Sequence, residues 1–133
     1  MTKVVLDASA LLALIHGEPG QHIVASAIAE AAISSVNLSE VVAKLSERGV
    51  PPDRANQIPL GFGLEIIPFH TEQAVLAGQL RASTRALGLS LGDRCCLATA
   101  MSLNVPVLTT DMAWETLTDA LGLVVRNIRP RSH

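Results

Sequence analysis

The feature that most constrains the fold is the alternation of short aliphatic, β-branched runs with longer helical patterns. Runs at Val4–Leu6, Ala32–Ser34, Leu64–Phe69, Val105–Leu108 and Leu123–Asn127 read as strands. Between them, apolar residues recur at helical spacing over Ser9–Ile15, Gly20–Ala31, Leu38–Arg48, Pro52–Ile58, Glu72–Leu87, Gly92–Leu103 and Met112–Leu121. Strands separated by helices cannot pair through tight hairpins; they run parallel, with helices covering the sheet faces. The expectation is one α/β domain over residues 1–133, with a central, mostly parallel sheet. Gly49, Gly88 and Gly122 stand where helices should stop. The stretch from Leu91 to Leu103 is apolar almost all round and belongs in the middle of the fold.

Composition narrows the function. With 133 residues, 49% of them hydrophobic, the chain has one real core and not two. A net charge of -2 excludes a histone-like binder that works by bulk charge, so any polyanion must be held by local arrangement. Phe62, Phe69 and Trp114 are the whole aromatic inventory, which argues against an RNA-stacking platform. Cys95 and Cys96 are adjacent and cannot close a useful loop, so a reducing cytoplasm fits better than a secreted disulfide scaffold. Asp7 interrupts the first apolar run before signal length, and no stretch reaches the ~20 apolar residues of a membrane span. Mean hydropathy is nonetheless high, +0.39, and suggests a generous core or an apolar face covered by a partner.

Four acids share one kind of address, the rim where a strand ends and a helix begins. Asp7 ends the first strand; Glu40 lies in Ser35-Val-Asn37-Leu-Ser-Glu40 after the second; Asp93 opens the central helix; Asp111 ends the fourth strand. Taken singly each reads as a cap, with Asn37-x-x-Glu40 and Ser90-x-x-Asp93 resembling capping boxes worth about 1 kcal/mol. Capping does not require four acids to converge. Two like charges ~4 Å apart repel by about 4 kcal/mol at an effective dielectric of 20, so either some protonate or a cation sits among them. Oxygen ligands without His or Cys select a hard ion, Mg²⁺ or Mn²⁺, over zinc. Such an ion suits phosphodiester hydrolysis.

These segments, Val-Leu-Asp7-Ala-Ser9-Ala-Leu-Leu-Ala, Ser-Glu40-Val-Val-Ala-Lys, Gly-Leu-Ser-Leu-Gly-Asp93-Arg-Cys-Cys-Leu-Ala and Val-Leu-Thr-Thr-Asp111, resemble those of the PIN-domain ribonucleases, in particular the VapC-type toxins of bacterial toxin-antitoxin pairs. The resemblance runs in the family's order over nearly the whole chain. It implies that Asp7, Glu40, Asp93 and Asp111 form an acidic quartet binding Mg²⁺ or Mn²⁺ for RNA cleavage, with Ser9 and Thr110 in supporting roles. It implies Asp111 acting through water. It further implies a cytoplasmic, dimeric toxin without membrane attachment, whose cognate antitoxin wraps an apolar cleft. The apolar richness of Ser9–Ile15, Gly20–Ala31 and Leu38–Leu45 agrees with such a partner.

Two other functions stay open. A Mg²⁺-dependent phosphatase or phosphoacceptor would use Asp7 as nucleophile, but position 9 is serine and no Lys follows Lys44. A non-catalytic PIN-like module would bind protein only. His16, His22, His70 and His133 lack plausible partners for a metal-independent ribonuclease. Cys95 and Cys96 read as core filler, Trp114 as a dimer or antitoxin contact before a base-stacking cover, and Lys44 as an i,i+4 partner of Glu40. Arg94 reads as exposed or salt-bridged, and the basic end Arg126, Arg129, Arg131 as a solvated tail.

Overall fold

The computed structural model describes residues 1–130. Its strands are β1 (Val4–Leu6), β2 (Ala31–Ser34), β3 (Glu65–Ile67), β4 (Val107–Thr109) and β5 (Val125–Asn127). Helices α1 (Ala8–His16) and α2 (Gln21–Ala27) join β1 to β2; α3 (Ser35–Glu47) and α4 (Pro52–Leu60) join β2 to β3. The crossover from β3 to β4 carries α5 (Thr71–Gln79), α6 (Arg81–Thr84) and α7 (Leu91–Leu103), and α8 (Leu117–Leu121) precedes β5. All strand pairs are parallel, in the order β3-β2-β1-β4-β5. The expected α/β class and the single parallel sheet are what the chain forms.

The three central strands β2, β1 and β4 are buried on both sides, which is why they read as apolar runs, whereas the edge strands β3 and β5 expose Glu65 and Arg126. Val5, Ala32, Val107 and Val125 face a cluster with Ala77 of α5, Leu97 and Ala100 of α7, Trp114 and Leu117. Val4, Leu6, Ile33 and Leu108 face the opposite cluster, with Leu11 of α1, Val24 of α2, Val41 of α3 and Ala55 of α4. The first two crossovers therefore cover one face and the last two the other. Chain direction across the sheet reverses between β1 and β4, and the carboxyl ends of those two strands form the switch point where open α/β sheets place ligands. In α7 the six residues Cys95–Ala100 are all buried, as its apolar composition predicts.

Several expectations need correction. The pattern Glu72–Leu87 is not one helix: α5 ends with Leu80 as its C-cap, α6 adds one turn, and Arg85–Leu87 is a 3₁₀ turn. Gly20–Ala31 shortens to α2 plus a 3₁₀ turn at Ile28–Glu30, because Ala31 is recruited into the sheet beside Val4. Met112–Leu121 begins as a 3₁₀ segment, Met112–Thr116. Strand Leu64–Phe69 pairs only over Glu65–Ile67, and Val105 and Pro106 precede β4 instead of joining it. Gly49, Gly88 and Gly122 do stop their helices, each with positive φ, and Asn104 does the same after α7 at φ 55°. Arg131 and His133 lie outside the described residues.

The apolar surplus of the first helices is largely spent within the chain. Leu12, Leu14, Ile15, Ile23, Leu38 and Val42 are half-buried against the cluster under α1 to α4, since four helices share that face. Trp114, expected at a partner surface, is instead 1% exposed and packed in the opposite core. Among the described residues no helix is long and apolar enough to cross a membrane.

Close approach sets one backbone position. Gly20 has φ 93°, and a Cβ there would collide with the Ile128 backbone carbonyl, which cannot move without pulling the chain away from β5. Gly20→Ala should therefore destabilise the fold by at least about 1 to 2 kcal/mol, seen as a lower urea midpoint with unchanged slope.

Candidate functional site

Asp7 follows the last residue of β1 and caps α1. Its backbone is extended, and its Oδ1 accepts hydrogen bonds from the Ala10 amide at 2.8 Å and the Ser9 hydroxyl at 2.7 Å. Its Oδ2 accepts from the Thr109 hydroxyl at 2.6 Å. The pairing of Val5 with Val107 and Leu6 with Leu108 explains the last contact: continued by one residue, the register sets Thr109 opposite Asp7. Thr109 also accepts from the Asp111 amide at 3.1 Å, so one hydroxyl ties the ends of β1 and β4 together.

Thr109, not Thr110, is the hydroxyl that reaches the acid. Thr110 contributes its backbone N–H, which donates to Ser9 Oγ at 3.1 Å. Strand register, absent from a one-dimensional reading, is the signal that distinguishes the two threonines. Ser9 donates to Asp7 and accepts from the loop after β4.

Glu40 and Asp93 arrive on the N-terminal halves of α3 and α7. Helix α3 begins at Ser35 with Ser34 as N-cap, three residues earlier than expected, so Asn37-x-x-Glu40 is not a capping box. Asn37 is instead helical and 1% exposed, and its Nδ2 donates to Glu40 Oε1 at 2.7 Å and to the Gly92 carbonyl at 3.0 Å. Glu40 in turn packs against Gly92, where a Cβ would collide with its carboxylate. Asp93 does form the expected capping box: its Oδ2 accepts from the Ser90 amide at 2.9 Å, and its own amide donates to Ser90 Oγ at 3.1 Å. Capping occupies one oxygen of Asp93 and leaves the other.

Asp7, Glu40 and Asp93 line one cleft of about 210 Å³, together with Ala8, Ser9, Leu12, Asn37 and Lys44. Asp111 does not line it. That residue is exposed and caps the following 3₁₀ turn, its Oδ1 accepting from the Ala113 amide at 3.0 Å. Among the described residues no group of three or more His, Cys, Asp or Glu side chains is drawn together as a ready-made ion cage. A larger cavity, about 700 Å³, opens at the opposite rim beside Lys3, Pro106 and Val124, but its one acid, Glu30, is paired with Lys3 at 3.0 Å.

Electrostatics single out Asp7. Burial lifts its pKa from 3.8 to about 6, against the lowering effect of the Thr109, Ser9 and Ala10 hydrogen bonds, and the Asp93 charge adds to the rise. Below it, burial also holds the Cys96 thiol well above its ordinary value, so that residue is inert core, as is buried Cys95. Lys44 does not pair with Glu40; its Nζ lies 3.8 Å from Glu47, an exposed pair worth a few tenths of a kcal/mol. Arg94 is half-buried and ties α7 to α5 by donating to the Ala77 carbonyl at 3.0 Å. None of His16, His22 and His70 lines the cleft.

The family model that matches the chain is the PIN domain, over residues 4–118. The chain belongs to the PIN-domain family. Solved structures agree on the fold. A DNA-bound VapBC from Salmonella typhimurium aligns with TM-score 0.72 at 21% identity, over 96% of this chain and 99% of that one. A toxin-antitoxin complex from Klebsiella pneumoniae aligns with TM-score 0.74 at 20% identity, over 97% and 100%. VapBC2 from Rickettsia felis, bound to a promoter DNA fragment, aligns with TM-score 0.70 at 18% identity, over 95% and 98%. Among curated proteins, none matches the sequence.

Two predictions follow from the PIN-domain cleft. Because folding raises the Asp7 pKa, protonation favours the folded state. The associated stability, about 3 kcal/mol, is complete below pH 3.8 and lost as pH rises through 6. Urea melts of parent and Asp7→Asn without divalent ions should show the variant gaining on the parent as pH goes from 4 to 7.5. Gly92→Ala should keep the fold, since alanine favours a helix and the Glu40 carboxylate can swing aside. The same swing should move the Glu40 carboxylate off the cleft wall, measurable as a changed carboxyl-carbon resonance of Glu40 at an unchanged melting temperature.

Proposed function

We propose that this PIN domain is a Mg²⁺- or Mn²⁺-dependent endoribonuclease, the toxin of a toxin-antitoxin pair. One observation carries the reading: a buried carboxylate, Asp7, is held at the switch point of the sheet and shares its cleft with Glu40 and Asp93. Three acids in one concave site are tolerable together when a dication or protons offset them. The donor set is all oxygen, which fits a hard ion held partly through water. A dication bound there neutralises phosphate oxygens and lowers the pKa of a bound water.

The chain's own residues do the rest. Hydrogen bonds from Ser9, Ala10 and Thr109 immobilise both oxygens of Asp7, so its orientation is set before any ligand arrives. They leave one acceptor position on Oδ2 open; serine at position 9 and the lack of any Lys after Lys44 are what count against the phosphoacceptor reading. Asp93 keeps one oxygen for the cleft while the other caps α7. Asp111, exposed and outside the cleft, would reach a bound ion through water.

The similar solved structures are toxin-antitoxin complexes, and this supports a cognate antitoxin as partner of the present chain. The reading includes a homodimer acting on RNA in the reducing cytoplasm, where Cys95 and Cys96 stay thiols.

The purified protein with Mn²⁺ should cut RNA to linear phosphomonoester ends without 2′,3′-cyclic phosphate, mapped by sequencing the fragment ends. Chelation should abolish cutting, and Asp7→Asn or Asp93→Asn should lower it by at least about 100-fold. Cleavage by both variants at the parent rate with metal present would overturn the assignment. So would metal-independent cutting.

A further inference from the structure

Asn37 is the residue of the cleft that the acids do not explain. It is 1% exposed, and both acceptors around its amide, Glu40 Oε1 at 2.7 Å and the Gly92 carbonyl at 3.0 Å, require the NH₂ end. That orientation cannot be flipped, because the carbonyl end would then face two acceptors. Its Oδ1 is consequently left buried with no hydrogen-bond partner, although the side chain lines the cleft beside Asp7, Glu40 and Asp93. A buried acceptor without a partner costs stability, so this corner of the cleft is complete only when a donor reaches the oxygen.

We infer that Asn37 is a positioning residue for the metal-dependent site proposed above, on which this inference rests. Its NH₂ holds the Glu40 carboxylate on the cleft wall, and its Oδ1 accepts a hydrogen bond from a water of the bound dication. The two halves of the amide thus do different work. The NH₂ restrains an anion that would otherwise swing toward solvent on three rotatable bonds, and the oxygen completes a set of acceptors around a hydrated ion. The neutral amide does this without adding a fourth charge beside Asp7.

The test is Mn²⁺ binding to the whole protein, read by calorimetry and by the electron paramagnetic resonance of bound Mn²⁺, with folding followed by circular dichroism. Asn37→Ala should remain folded and bind Mn²⁺ about tenfold or more weakly, with an altered resonance spectrum of what still binds. Asn37→Ser, too short to reach both Glu40 and Gly92, should show the same loss and covers the case where the alanine variant does not fold. Either variant, folded, with parental Mn²⁺ affinity and spectrum overturns the positioning role alone. Loss of folding in both overturns it too and makes Asn37 a structural tie. A parent protein that binds no Mn²⁺, with Asp7→Asn indistinguishable from it, removes the metal reading and this inference together.

Discussion

The contact on which the site depends is the hydrogen bond from Thr109 to the buried carboxylate of Asp7. It joins the ends of the two strands between which the sheet reverses direction, and it fixes an anion in a place where burial would otherwise expel its charge. Ser9 and the Ala10 amide complete the cradle, so an N-cap and a strand register converge on one side chain. Capping and function are not alternatives at this position. The helix start needs an acceptor, the rim supplies an acid, and the same geometry that satisfies the backbone aims the carboxylate at the cleft.

Much of this was legible in one dimension. Asp7 and Glu40 declare themselves by following an apolar run at a strand-to-helix junction and Asp93 by opening the central helix, and the chain does bring these three to one cleft. The family resemblance agrees with the PIN-domain match over residues 4–118. What was not legible depends on contacts between distant segments. Thr109 and Thr110 are neighbours of equal chemistry, and only the pairing of β4 with β1 tells which hydroxyl points at Asp7. Asn37 reads as a cap only if α3 starts at Leu38; with Ser34 as the cap it lies inside the helix.

Tertiary packing also overrode local pattern elsewhere. Helical spacing continues from Glu72 to Leu87, yet the chain bends after α5 so that α7 can approach it, and Arg94 bridges the two through the Ala77 carbonyl. The sequence reading puts Trp114 at a dimer or antitoxin contact, but the 3₁₀ turn carries the indole inward onto the core under β5. Apolar residues in α1 to α3 looked surplus for one sheet face. They are used between helices, because two successive crossovers stack on the same side.

The cleft draws on distant segments of the polypeptide: Asp7 comes from the β1–α1 junction and Asn37 and Glu40 from α3, whereas Asp93 and Thr109 come from α7 and β4. During synthesis the early acids leave the ribosome long before the segment that orients them. A nascent chain accordingly has no assembled acid site until the segment through Thr109 has emerged.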